Sequence, residues 1–533
     1  MYNNYTPLQQ RQLALQEYSN TQSTYLLVCA PARSTALKAT LTDQLHRKFR
    51  LVDRLDGELT TSVDGVLLAA EDVELMSTAL MYFAKALQDG ADYAVCNAVF
   101  GFGGATALYQ SQPLQAQNRC AVVSRALLER CRAAAHDPEN VPELLALAAQ
   151  LCTKPALIPQ ALLHYERGIC AEDAFSAHGK RAFIMSHVLD MTGAPIVLVS
   201  AVPVLRSMGY EVLVLGPSDG GSLHLFLDAG ASVITRSSCR NVSDAWGMAL
   251  CADFVIVNTV VMARAVRALS GTAVPVLWWL HDAFAGYPHI AHQIPTQLGE
   301  NVRVYSVGSH AANAMRAVRP EFEIQPLIYG LPDYAAENFV RTDLGYNRGR
   351  PLFATVGSFE RRKGHDIFCK AIRLLPPEVR EKASFLFVGQ AADKEMMDSV
   401  RALTADYPEN VFYCKRLTRD EIKSLMEQCT GLVCASRDDP MPTFVTEGLI
   451  FGKPSIVSEH TGTAGLISEG RNGFVYHDDD PQQLAVLLEH AIEHPEELAS
   501  MRTECRKMYE QYYSKEAFEQ TLRAAVEDLT AKK

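Results

Sequence analysis

The sequence predicts an α/β protein in which two doubly wound, Rossmann-like domains follow an N-terminal α/β domain. Predicted strands such as Ala182–Met185 and Glu211–Leu215 alternate with helical stretches, and the same alternation restarts at Leu352. Alternation of this kind indicates βαβ units and parallel sheets. The stretch from Tyr329 to Arg350 contains four glycine and proline residues and separates the two runs.

The first Rossmann-like domain is expected at residues 176–335. Its strand Ala182–Met185 precedes a loop, His187–Ala194, and a helix from Pro195 to Met208. Proline in the first turn and glycine just past the last turn are usual at helix boundaries. Pro195 and Gly209 occupy these two places in the predicted helix. Further strands are predicted at Phe254–Asn258 and Val274–Leu280.

The second Rossmann-like domain is expected at residues 336–514. It begins with the strand Leu352–Val356, the loop Gly357–Gly364 and the helix His365–Leu375. A helical tail follows Pro481, and we expect its end, residues 515–533, to pack back on the first domain. Ligands bind beyond the carboxyl ends of parallel strands, so two such domains facing a cleft suit group transfer. The remaining strands are predicted at Ser384–Val388, Val411–Cys414, Leu432–Ala435 and Ser455–Val457.

Composition excludes several classes of protein. The 533 residues carry a formal net charge of -11, and 48% are hydrophobic. An acidic chain without a long basic run is not expected to bind nucleic acid. We find no apolar signal core and no run of roughly 18–20 apolar residues. The 13 cysteines show no metal-ligand spacing. These features predict a cytoplasmic protein, and they leave peripheral contact with a membrane surface open.

Two loops at strand ends carry the chemistry. In Gly357–Gly364, Lys363 precedes a helix, where backbone N–H groups and an ammonium can hold a diphosphate. A solvated basic loop is the alternative. The loop is not a P-loop, because it lacks the GxxxxGK[ST] pattern. The second loop follows the predicted strand Leu432–Ala435. Asp439 is expected at its tip, and Glu447 is expected about two turns into the next helix, which has Pro442 in its first turn. These carboxylates can accept hydrogen bonds from a sugar and a ribose, although a capped helix with a surface glutamate is the alternative.

Together these motifs resemble glycosyltransferase family 4, retaining enzymes of the GT-B fold, over roughly residues 181–533. The resemblance implies that a sugar moves from a nucleotide-sugar to a glycan, glycolipid or glycoprotein acceptor, as in bacterial surface polysaccharide or glycoconjugate synthesis. It implies no metal or other cofactor. The alternative is a non-catalytic GT-B protein that binds glycan or a partner glycosyltransferase. The matching motifs are Gly357…Lys363-Gly364, Asp439…Glu447, Gly452-Lys453-Pro454 and Gly470–Phe474.

The resemblance also implies a role for each donor-side residue. Lys363 would bind the diphosphate, Glu447 the ribose, and Asp439 hydroxyls of the transferred sugar. Relatives often carry arginine where this chain has Ser358, so Arg361 or Arg362 would supply that charge. The other donor-side positions are Gly357, Pro442, Thr443 and Phe444.

Two residues of the first Rossmann-like domain complete the predicted site. Gly193 matches the family's glycine-containing loop after the first strand, where the backbone can approach a phosphate. His281 follows a strand that contains two tryptophans, and the resemblance implies that it contacts the transferred sugar. A tight turn and a structural histidine are the respective alternatives. A nicotinamide-dependent dehydrogenase is disfavoured because the His187–Pro195 loop has a single glycine, and product analysis would separate a sugar-nucleotide epimerase.

The first 175 residues faintly resemble a shortened family 2 glycosyltransferase of the GT-A fold. The resemblance rests on an apolar run inside Asp64–Asp72, a helix Leu75–Gln88 and a strand at Ala91–Val95. Ala69 stands where the leading metal-binding aspartate would be, and an early pair of nucleotide-binding strands is expected to be short or absent. We therefore expect an inactive module without a metal site; an unrelated α/β domain is the alternative.

Overall fold

A computed structural model describes residues 24–29, 35–41, 44, 46, 48–52, 54–55, 63–70, 73–76, 78–101, 106–110, 120–165, 179–218, 220–236, 239–240 and 244–531. The chain divides into two compact units, Met1–Ile256 and Val257–Lys533. The division falls inside the strand Phe254–Asn258. The predicted α/β class is confirmed in both units.

The first unit is built on a mixed sheet with apolar clusters on its two faces. Its strands in chain order, β1–β12, are Leu26–Cys29, Phe49–Val52, Gly65–Ala69, Glu74–Leu75, Tyr93–Gly101, Thr106–Gln110, Cys120–Ser124, Pro155–Tyr165, Lys180–Met185, Tyr210–Gly216, Ser232–Arg236 and Phe254–Asn258. Its helices, α1–α7, are Thr35–Leu41, Ala79–Gln88, Arg125–Ala134, Val141–Leu151, Gly193–Ser207, Leu223–Asp228 and Asp244–Gly247.

The early strand pair at the start of this sheet is short, which is one of the two outcomes expected from the sequence. Strand β1 pairs in parallel with both β2 and β3, so the early strand pair is present. Strands β1 and β2 have four residues each, and all four residues of β1 are buried. Strand β7 lies antiparallel to β3, and β5 lies antiparallel to β7.

The predicted helix Leu75–Gln88 begins late. Glu74 and Leu75 form strand β4, which pairs with β8, so the helix starts at Ala79. Glu71 and Asp72, which follow the position of the missing metal-binding aspartate, lie outside the described residues. Ala69 ends β3 and is fully buried.

The second unit contains three parallel strands and a separate six-stranded parallel sheet. Its strands, β13–β21, are Val276–Leu280, Val302–Ser306, Ile324–Pro326, Leu352–Val356, Ser384–Val388, Val411–Cys414, Gly431–Cys434, Ser455–Ser458 and Gly473–Tyr476. Strands β13–β15 pair in parallel in sequence order, and the six-stranded sheet has the order β18-β17-β16-β19-β20-β21. The helices of this unit, α8–α18, are Ala263–Leu269, Ser309–Arg316, His365–Leu374, Pro377–Arg380, Lys394–Asp406, Arg419–Gln428, Thr443–Ile450, Pro481–Glu493, Pro495–Ser500, Arg502–Met508 and Lys515–Thr530.

Strand β13 is anchored by its two tryptophans. Trp278 and Trp279 are fully buried, and each indole N–H donates to a backbone carbonyl at 2.9 Å. Burial of rings this large is a major stabilising contribution, and the two hydrogen bonds satisfy their polar atoms. Phe518 of the C-terminal helix α18 stacks on Trp279 with ring centroids 5.8 Å apart. The loop that contains His281 therefore leaves a rigid strand.

Among the described residues, none of the helices combines the length and the apolar character needed to cross a membrane.

Candidate functional site

Three loops of the second unit meet at the carboxyl ends of neighbouring parallel strands. Residues 357–364 follow β16, residues 435–442 follow β19, and residues 459–465 follow β20. Two glycines allow backbone contact between these loops. A Cβ on Gly364 would lie 1.7 Å from the Ala435 carbonyl oxygen, and one on Gly462 would lie 1.8 Å from the Pro440 carbonyl oxygen. Only glycine fits such approaches, so these positions fix how the loops meet.

The structure brings Lys363 and Asp439 together. The Lys363 ammonium donates to Oδ2 of Asp439 at 2.5 Å, and their side chains are 18% and 4% exposed. The 435–442 loop, which we call the donor loop, also pairs with the 459–465 loop. Asp439 N–H donates to the His460 carbonyl, and Gly462 N–H donates to the Asp439 carbonyl. An ammonium has three donors, so Lys363 retains capacity to bind a further anion.

The rest of the 357–364 loop is held by its own polar groups. The Ser358 hydroxyl and the Arg362 guanidinium both donate to Oε1 of Glu360, at 2.6 and 3.1 Å. Burial favours a higher pKa for Glu360, but these partners outweigh it and lower the pKa. Gly357 N–H donates to the Val388 carbonyl at the end of β17. Arg361 and Arg362 are both exposed. Of the two, Arg362 contacts the Glu360 carboxylate, whereas Arg361 has no carboxylate contact among the described residues.

Arg437 secures this loop from the neighbouring strand end. Its guanidinium forms two hydrogen bonds of 2.8 Å with the Asp366 carboxylate, and it also donates to the Arg361 carbonyl at 2.9 Å. Bidentate pairing of this kind fixes orientation as well as distance. Arg437 therefore links the 357–364 loop to the first turn of helix α10.

The helix that carries Glu447 begins later than predicted. Pro442 is its N-cap rather than a first-turn residue, and helix α14 runs from Thr443 to Ile450. Glu447 therefore lies one turn into the helix, and the expectation of two turns is wrong. Phe444 is buried and Thr443 is exposed at this helix start. Burial raises the pKa of Glu447 to about 7, against the opposing charge of Arg419.

This raised pKa gives a testable effect on stability. A carboxyl whose pKa rises from 4.5 unfolded to about 7 folded destabilises the protein progressively as pH rises between those values. We expect Glu447→Gln to stabilise the protein by at most about 3 kcal/mol above pH 7 and by nothing below about pH 4.5. Thermal unfolding at roughly pH 5 and pH 8 measures the difference.

The control is Glu496→Gln, which changes an exposed glutamate of the same unit. A stabilisation by Glu447→Gln that is equal at both pH values would contradict the buried, high-pKa carboxyl.

His281 and Gly193 belong to different units. The His281 ring packs on Trp279 with centroids 4.7 Å apart. The adjacent Asp282 accepts a hydrogen bond from Val260 N–H at 2.6 Å, and burial raises its pKa to about 6. In the first unit, Gly193 opens helix α5, and no described atom lies within 4 Å of the place where its Cβ would stand.

Sequence reasoning missed Asp438 and His310. Asp438 accepts hydrogen bonds from Phe284 N–H at 3.0 Å, Ala285 N–H at 2.8 Å and His310 Nε2 at 2.7 Å. His310 lies on helix α9 and is 6% exposed. No local pattern links these residues, because 128 positions separate His310 from Asp438.

Comparison with known proteins identifies the two domains. Residues 178–318 match the family model described as glycosyl-transferase family 4, and residues 337–508 match the model described as glycosyl transferases group 1. Spore coat protein SA of Bacillus subtilis is 27% identical over 160 residues, which are 28% of this chain and 41% of that protein. An uncharacterized glycosyltransferase of Methanocaldococcus jannaschii is 25% identical over 194 residues, 36% of this chain and 53% of that protein. The matched region spans about half the length of these relatives.

A solved structure shows the same fold. HepE of Anabaena in complex with UDP aligns with a TM-score of 0.53 and 18% identity, over 66% of this chain and 100% of that chain. The same protein is also known in complex with UDP-glucose. The predicted GT-B fold is confirmed, and the region from 178 to 508 carries the two domains of a GT-B glycosyltransferase.

Proposed function

We propose that this GT-B glycosyltransferase is a retaining enzyme that transfers a sugar from a nucleotide-sugar, with a donor site formed by Lys363, Asp439 and Glu447. The observation that carries the proposal is the Lys363–Asp439 pair at the meeting point of three strand-end loops. Glu447 follows on the adjoining helix, one turn from its start. The complexes of HepE with UDP and UDP-glucose support a nucleotide-sugar as the donor.

In the proposed reaction, the bond between the anomeric carbon and the diphosphate oxygen breaks as the bond to the acceptor oxygen forms. The acceptor proton passes to the departing phosphate on the same face of the sugar. Lys363 and the start of helix α10 would stabilise the charge that grows on the diphosphate. Asp439 would orient sugar hydroxyls while it holds the Lys363 ammonium in place. The residues need no metal to perform these steps.

The remaining predicted residues have supporting roles in the proposal. Arg361 would supply the positive charge that Ser358 cannot, because Arg362 is engaged by Glu360. Backbone N–H groups at Thr443 and Phe444, next to Pro442 at the start of helix α14, would face the donor together with Gly357. His281 would contact the transferred sugar, and Gly193 would leave room for a phosphate or acceptor.

The proposal extends to the domains and the cellular setting. The family matches fall inside the proposed domain ranges 176–335 and 336–514. We propose that residues 1–175 form a shortened, inactive GT-A-like module, which is supported by the parallel strands β1–β3 and by Ala69 at the end of β3. The protein would act in the cytoplasm, with a glycan, glycolipid or glycoprotein as acceptor.

Turnover of nucleotide-sugars tests the proposal. The purified chain is incubated with UDP-, GDP-, ADP- and dTDP-sugars, and release of the nucleoside diphosphate is followed with and without simple glycoside acceptors. Release from one donor class, with a product whose anomeric configuration matches the donor by NMR, is the expected result. Binding without release from any donor would favour the non-catalytic alternative, and an inverted product would contradict the retaining mechanism.

A further inference from the structure

The loop after β13 and the donor loop after β19 are joined by one buried carboxylate. The two oxygens of Asp438 accept hydrogen bonds from the backbone N–H groups of Phe284 and Ala285. Oδ1 also accepts a hydrogen bond from His310 Nε2 at 2.7 Å. Asp438 is 9% exposed. Because burial favours a higher pKa, the lowered pKa of Asp438 must come from these three donors. The carboxylate is therefore ionised, and His310 presents a hydrogen to it.

His310 packs against residues of several neighbouring segments. Its ring packs against Phe284 with centroids 5.1 Å apart and against His460 with centroids 6.3 Å apart. The chain just before His310 is close to the donor loop, since a Cβ on Gly308 would lie 2.9 Å from Cε of Met441. Among the described residues, the Asp438 carboxylate is the only hydrogen-bond partner of the His310 ring.

The contacts of Asp438 lie next to proposed reacting residues on both of the loops that they join. Asp438 directly precedes Asp439, the partner of Lys363. Phe284 lies three residues after His281, on the loop that leaves the rigid strand β13. A change in the Asp438 contacts would therefore shift His281 relative to Lys363 and Asp439, and misplacement by about 1 Å can cost on the order of 100-fold in rate.

We propose that Asp438 and His310 are positioning residues that hold the 281–286 loop against the donor loop for sugar transfer. The inference rests on the proposed function, but it concerns residues that the family motifs do not include. Neither residue is expected to touch the donor nucleotide. Their loss should therefore lower kcat and leave donor affinity nearly unchanged.

The test compares His310→Phe with His310→Gln. Phenylalanine fills the space but removes the donor, whereas the glutamine amide can place a donor near the position of Nε2. We expect His310→Phe to lower kcat roughly 10- to 100-fold, with a change in donor KM of less than about twofold. His310→Gln should recover most of the lost kcat.

The control is Asp333→Asn, which weakens another partly buried pair of this unit, Asp333 with Arg506, on helix α17. Its kcat should stay near that of the wild type, so that a general loss of stability is separated from misplacement. If His310→Phe does not fold, Asp438→Asn replaces it, because the amide keeps the side-chain shape but offers a single acceptor oxygen.

The outcomes separate the two proposals. Equal kcat in the wild type and in His310→Phe, or in Asp438→Asn where that variant is used, would overturn the positioning role alone. A parallel loss of kcat in Asp333→Asn would also overturn it. A wild-type chain that turns over no UDP-, GDP-, ADP- or dTDP-sugar would overturn the proposed function, and the positioning role with it.

Discussion

Lys363→Ala is expected to lower turnover of the nucleotide-sugar by at least about 100-fold, because removal of one preorganised group that stabilises transition-state charge has an effect of that order. The ammonium lies where three strand-end loops meet, 2.5 Å from Asp439. The loss should appear in kcat, measured as release of the nucleoside diphosphate. Lys370→Ala is the matched control, because Lys370 lies on the following helix and its side chain is 62% exposed.

The same substitution also affects stability, and a second variant separates the two effects. Without Lys363 the Asp439 carboxylate, which is 4% exposed, loses its ion-pair partner. Breaking a buried pair from one side costs about 3 kcal/mol or more. Lys363→Ala with Asp439→Asn should therefore recover thermal stability without recovering turnover. Turnover at the wild-type rate in either variant would contradict the diphosphate role of Lys363.

Gly364→Ala is expected to destabilise the second unit by roughly 3 kcal/mol, as the sum of a left-handed backbone and a steric overlap. Gly364 has φ of 65°, and its added Cβ would lie 1.7 Å from the Ala435 carbonyl oxygen. Either the 357–364 loop or the end of β19 must move, so Lys363 and Asp439 would separate. Donor turnover should fall together with the melting temperature.

Gly345→Ala is the matched control for this prediction. Gly345 has φ of 69°, and no described atom lies within 4 Å of its Cβ position. It should show the backbone cost alone, about 1 kcal/mol. An equal loss of stability in the two variants would show that the contact between Gly364 and Ala435 does not hold the loops together.

The sequence predicted most strands of the C-terminal sheet because each is a short buried apolar run. Ser384–Val388 has five buried residues, and the predicted bounds match the observed ones. Strand β1 belongs to the early strand pair that was expected to be short or absent, and it has four residues. The helix start at Leu75 was wrong because pairing with β8 converts Glu74 and Leu75 into a strand, and that contact depends on residues about 90 positions away.

The candidate site was predictable only in part. Family spacing singled out Lys363, Asp439 and Glu447, and the structure places the first two in contact. Asp438 and His310 were missed because their contact depends on tertiary packing across 128 positions, which no local periodicity records. The roles of all these residues in sugar transfer stay predictions.

Donor binding measured by ligand-observed NMR, with wild type and Glu447→Ala side by side, tests the central claim most directly. The account predicts selective binding of one class of nucleotide-sugar to the wild type, and a loss of affinity of roughly tenfold or more in Glu447→Ala when the ribose loses a hydrogen bond to a carboxylate. Equal binding by both proteins would contradict the assigned role of Glu447. No binding of any UDP-, GDP-, ADP- or dTDP-sugar to the wild type would contradict the donor site itself.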